Sequence, residues 1–348
     1  MYLCLVEFPH RRIRRPKRED AFSVASSSTK RMKNYLGPTK ALFGAAIRHT
    51  TCTVPFLLAA ACNTDKTIVQ PPTVDPPTYS VTVYEYRPAP GQFINEQPIA
   101  GFTGAETTAE AAAAYAQRRL DEHKLVSLGA FGGYIVVGFG QSIPNSGGYD
   151  FAVEGNAFDS ASGSSNEPGI VWVMPDSNGN GLPDDTWYEL QGSETGLSET
   201  VRNYAVTYTR PTGAGEPVTW SDSDGQNGTI ERVADHKQDS YYPAWISDDS
   251  YTLSGTRLAS KSTQNPTTGL WENRPFAWGY ADNTGSDILD GSQRVGFKIA
   301  NAIRADGSPA ELEAIDFVKV QTGVHQQCGP LGELSTEVLG FYLCSAAR

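Results

Sequence analysis

From about residue 80 onward, apolar and polar positions alternate over short stretches bounded by Gly, Pro, Asn and Asp. A period of two over four to eight residues predicts strands with one buried face. Such strands are expected at Ser80–Tyr86, Tyr134–Phe139, Tyr149–Val153, Ile170–Met174, Thr186–Leu190, Tyr204–Thr209, Tyr251–Leu253, Arg294–Ile299, Phe317–Val320 and Thr336–Tyr342. One stretch follows a helical period instead. Thr107 and Glu110 have the spacing of a capping box, and an Ala-rich run continues to about His123. Ala112, Tyr115, Ala116 and Leu120 then share one face, suited to docking on a sheet. Many strands with a single helix predict a mainly β fold, an antiparallel β-sandwich or jelly roll with one short helix packed on it. A doubly wound α/β sheet needs several helices, and no repeat of propeller length is present.

Charge divides the chain. Residues 1–61 carry 11 Lys and Arg against 3 Asp and Glu, which leaves 17 basic and 36 acidic residues beyond them. A body with that acidic excess is a poor partner for phosphate backbones, so nucleic acid is not expected as a ligand. No apolar run reaches the roughly 18 residues that a membrane span requires. Residues 1–61 instead read as an N-terminal extension and an export signal. Met32 is the expected start, Lys33, Lys40 and Arg48 form a basic region, and a short apolar stretch leads into Leu58-Ala59-Ala60-Ala61-Cys62. That run is similar to a bacterial lipobox, although Ala59 stands where Leu is usual, and it predicts lipidation of Cys62. Residues 62–78 contain Pro71, Pro72, Pro76 and Pro77 and read as an extended tether. Residues 79–348 are expected to form a single β-sandwich domain.

Three groups of residues are candidates for chemistry. In Asp176-Ser-Asn178-Gly-Asn180-Gly181-Leu-Pro-Asp184-Asp185, carboxylate and amide oxygens recur at alternate positions around a Gly at the sixth. Hard calcium ions favour such donors, so Asp176, Asn178, Asn180, Asp184 and Asp185 are expected to hold structural calcium. Position twelve is Trp187 rather than a bidentate Glu, so the segment is not an EF-hand, and the same residues also suit a turn. In Tyr149–Phe158 the alternation breaks at Gly155 and Asn156, as at a bulge, which makes Asn156 a candidate ligand contact. Asp282, Asn283 and Asp287 offer a second oxygen-rich stretch. Trp220, Trp245, Trp271 and Trp278 lie in turn-rich regions, where exposed rings can stack on sugars, although most Trp in a sandwich are packed inside. With Cys62 acylated and the start at Met32, Cys328 and Cys344 are the remaining thiols and are expected to pair. No nucleophile elbow, zinc-binding H-E-x-x-H or Walker loop occurs.

Several segments resemble a family of secreted bacterial cell-surface proteins. These are Ser127–Phe139, Tyr149–Phe158 (YDFAVEGNAF), Glu167–Glu194 (EPGIVWVMPDSNGNGLPDDTWYELQGSE), Ser240–Ser247, Phe276–Asn283 (FAWGYADN) and Ile315–Val338. The resemblance implies a sandwich similar to galactose-binding-like and carbohydrate-binding modules, and it implies no catalytic residues. The functional expectation is a lipid-anchored, extracytoplasmic surface protein, stabilised by calcium, that captures a glycan or another small nutrient. The alternatives are a polysaccharide hydrolase using an Asp/Glu pair, which is a matter of spatial separation, and a structural adhesion protein without a small ligand.

Overall fold

The computed structural model describes residues 81–161 and 163–344, which lie within one compact unit. The expected extension, tether and Cys62 fall outside the described residues. The fold is an antiparallel β-sandwich with one helix. Its largest sheet has six strands in the order Thr82–Arg87, Tyr134–Pro144, Ala314–Thr322, Gly169–Met174, Tyr188–Leu190 and Ala302–Ile303. Alternation sets its two faces. Ile135, Val137, Val171, Val173, Val318 and Val320 point into the main core, and Tyr134, Trp172, Lys319 and Gln321 take the opposite face.

A second sheet, in the order Arg294–Phe297, Phe151–Glu154 and Gly340–Leu343, packs against that core. Phe151 stacks on Phe297 at 5.4 Å, and Phe139 of the large sheet meets both Phe151 and Phe341. A four-stranded sheet adds Tyr204, Val206, Tyr208, Tyr251 and Leu253 to the same core. The helix Ala109–Asp121 buries Ala112, Tyr115, Ala116 and Leu120, the face expected from its period. Its cap is Thr108 rather than Thr107. Thr108 is extended, and its Oγ1 accepts the Ala111 N–H at 3.2 Å, which places Glu110 in the first turn near the positive end of the helix dipole. The helix also stops before His123, whose φ of 51° is left-handed.

Two other differences have physical causes. The expected strand Thr336–Tyr342 is divided. Glu337–Val338 pairs with Val126–Ser127, whereas Gly340–Leu343 pairs with Phe151–Glu154. Leu339 marks the crossing and donates its N–H to the Glu154 carbonyl. The strands Val218–Asp222, Asn227–Ile230 and Trp271–Asn273 were not anticipated, because their polar residues resemble turns. Trp220 and Trp271 therefore stand on strands and not in loops. Among the described residues no helix is long and apolar enough to cross a membrane.

Candidate functional site

The loop after Phe276 turns tightly against the end of the strand Tyr188–Leu190. Gly279 has a φ of 91°, and a Cβ there would sit 2.4 Å from the Gly192 Cα, so the close approach of these two segments requires glycine. The Ser193 N–H donates to the Trp278 carbonyl at 3.0 Å, and the Gly279 N–H donates to Asp287 Oδ2 at 2.6 Å. Gly296 performs a similar service for Tyr149, since a Cβ would meet that ring at 2.8 Å.

These contacts shape a cavity of about 280 Å³ lined by Trp278, Tyr149, Asp287, Gln191, Asn301 and Lys298, among others. Trp278 is 36% exposed, and the Lys298 ammonium lies 5.0 Å over the Tyr149 ring. Asp287 is only 4% exposed, its Oδ1 has no hydrogen-bond partner, and burial pushes its carboxyl above the usual range. An apolar ring beside amides, an ammonium and one under-satisfied carboxylate is a chemistry suited to a polyhydroxylated ligand.

The other candidate tryptophans are placed differently. Trp245 is 9% exposed, stacks on Phe102 and meets Tyr86 at a tilt, and it also borders a separate cavity near Arg87 and Asp248. Trp220 is half-buried, with its ring 4.3 Å from that of His325. Trp271 packs beside the cluster of Leu258, Phe276, Val324 and Cys328. Asn156 serves through its backbone, donating its N–H to Asp282 Oδ1 at 2.8 Å.

The loop from Asp176 to Asp185 brings its oxygens together, but around its own donors. Asp176 accepts the N–H groups of Asn180 and Gly181, and Asp185 accepts that of Ser177. The Asn178 and Asn180 amides donate to Asp184 at 2.9 and 3.0 Å and hold its carboxyl below the usual carboxylate range. The expected disulfide is not formed. Cys328 is a buried free thiol whose Sγ lies 3.5 Å from Asn273 Oδ1, whereas Cys344 packs beside Ala152, Leu289 and Tyr342. The two cysteines follow strands that end in different clusters, a separation that local spacing does not reveal.

The carboxylates missed by the sequence reading are Glu167 and Glu337. With Asp282 they place one oxygen each within 4.8 Å of one another. The available signal is an acidic residue at Glu337 within the expected strand Thr336–Tyr342. A scan of the chain against protein-family models matches none, and a search of curated proteins also finds no match.

Proposed function

We propose that this protein is an exported, lipid-anchored surface protein that captures a glycan or another small nutrient in the cavity beside Trp278. The observation that carries the reading is that the partly exposed Trp278 and the buried Asp287 line one cavity together with Gln191 and Asn301. A cavity of about 280 Å³ is near the lower end for small-molecule sites, which favours a single ring or the end of a chain over a long polymer. Asp287 is the one carboxylate on its lining, whereas glycoside hydrolysis uses a pair, and this favours binding over cleavage. The anchor rests on the lipobox-like run before Cys62, and the sugar class rests on the segments that resemble carbohydrate-binding modules.

The test is a glycan and small-nutrient array followed by calorimetry of the hits. Trp278→Ala should weaken binding by at least about tenfold, as expected for losing an aromatic platform, with an unchanged melting temperature. Equal affinity in the variant for every hit would place the ligand elsewhere. No hit at all from the array would remove the glycan reading.

A further inference from the structure

Glu167, Asp282 and Glu337 come from three separated segments and converge beneath the sheet edge. Glu167 precedes the strand Gly169–Met174, and its N–H donates to the Asp282 carbonyl at 3.1 Å. Asp282 has a left-handed φ of 51° and follows the bridge between Ala281 and Gly169. Glu337 opens the short strand Glu337–Val338. Close approach is built in from the other side by Gly155, where a Cβ would sit 2.4 Å from Asp282 Oδ1.

The hydrogen bonding in this cluster is incomplete. Asp282 Oδ1 accepts from the Asn156 and Ala157 N–H groups, both at 2.8 Å, and Oδ2 accepts from the Glu337 N–H at 2.9 Å. One lone-pair direction on Oδ2 is left over, since a carboxylate accepts at about four. Glu167 Oε1 accepts a long bond of 3.4 Å from the Ser335 N–H, and the Glu167 and Glu337 carboxyls lie within hydrogen-bonding reach of each other. Glu337 is 4% exposed, and its Oε1 has no hydrogen-bond partner. Among the described residues none of the three is ion-paired with Lys, Arg or His. Burial and mutual repulsion push Asp282 and Glu337 above the usual carboxylate range.

Asp282 and Glu337 are buried and Glu167 is partly so, and without a counter-charge the trio must be neutralised by protons or by a cation. Protons would satisfy at most the contacts between neighbours. A hard divalent cation satisfies all three oxygens at once. We propose that Glu167, Asp282 and Glu337 bind one divalent cation, calcium by preference, and that this ion joins the loops at Gly155 and Asp282 to the strand at Glu337. The preference follows from the donor set: calcium takes six to eight carboxylate, carbonyl and water oxygens in a flexible geometry, whereas magnesium demands a near-ideal octahedron and keeps most of its waters. Water completes the coordination on the Glu167 side, the one ligand of the three that is partly exposed. The inference does not depend on the Trp278 cavity or on the loop at Asp176.

The experiment uses the purified full chain, stripped with chelator and titrated with calcium or magnesium. Calorimetry gives stoichiometry and affinity, and melting is followed in parallel. A single calcium per chain is expected. At about a hundredfold excess over Kd the melting temperature should rise by roughly 5–10 °C. Glu337→Gln should lose at least about tenfold in calcium affinity, yet melt at or above the wild type in chelator, because one of three like charges is gone. Should Glu337→Gln fail to fold, Glu167→Gln at the partly exposed side carries the same expectation. The double variant D176N/D184N should retain calcium. The proposal is overturned if the stripped chain binds no calcium, if the Glu variants bind it with wild-type affinity, or if the loop variant is the one that loses it.

Discussion

The segment Asp176–Asp185 and the trio Glu167, Asp282 and Glu337 are both rich in oxygen, but they differ in where their partners come from. In the segment, donors and acceptors lie within ten residues, and Asx-type turns let the backbone and the Asn amides serve the carboxylates. In the trio, the acids arrive from distant parts of the chain, and one oxygen of the buried Glu337 meets no donor at all. A dense local motif can satisfy itself. A sparse, long-range cluster cannot, and it therefore holds the stronger electrostatic demand for something from outside.

Asp282→Ala offers the largest test of that contrast. The change strands the Asn156, Ala157 and Glu337 N–H groups in a buried setting, each at a cost of about 1–3 kcal/mol, while relieving some repulsion. We expect a net loss of about 3–5 kcal/mol in urea denaturation. A loss below about 1 kcal/mol would mean that the acids are not held as described.

A second contrast concerns pH. Burial pushes the Glu333 carboxyl, near the trio, up to about 8 from a reference value of 4.5. The folded chain therefore keeps a proton that the unfolded chain releases, so this group's contribution is full below pH 4.5 and is lost as pH rises towards 8. Asp184 behaves oppositely: its lowered value gives stability that is present above 3.8 and is lost in acid. In chelator, denaturation midpoints should fall between pH 5 and 8, and Glu333→Gln should flatten the decline. An identical slope in the variant would assign the effect to other groups. The smallest effect is expected at the exposed loop, where Asp184→Ala should change stability by no more than the scatter between repeat denaturation curves. A clear destabilisation there would show that the segment is under more strain than its hydrogen bonds indicate.

What was legible in the sequence follows the same division between local and distant. The helix face of Ala112, Tyr115, Ala116 and Leu120 is a matter of period, and the structure agrees with it. The alternation that predicts Ile170–Met174 is equally local. The divided strand at Leu339 was hidden because its two halves have continuous β character and differ only in their partners. Trp278 and Asp287 each drew attention as residue types, but their meeting in one cavity depends on the tight packing of Gly279 on Gly192. Asp282 stood out in an oxygen-rich stretch, whereas Glu167 and Glu337 had no neighbours to mark them.

The register of the large sheet has a consequence for how the molecule is made. Its strand Ala314–Thr322 lies between Tyr134–Pro144 and Gly169–Met174, with Lys319 facing Val136 on one side and Trp172 on the other. Until residue 322 has been synthesised, Tyr134–Pro144 can pair only with Thr82–Arg87 and Gly169–Met174 only with Tyr188–Leu190, and the centre of the sheet is open. Closing that gap late imposes a large loop-entropy cost and makes folding slow. The large sheet thus stays incomplete through most of synthesis, with two strand edges open until Ala314–Thr322 arrives to join them.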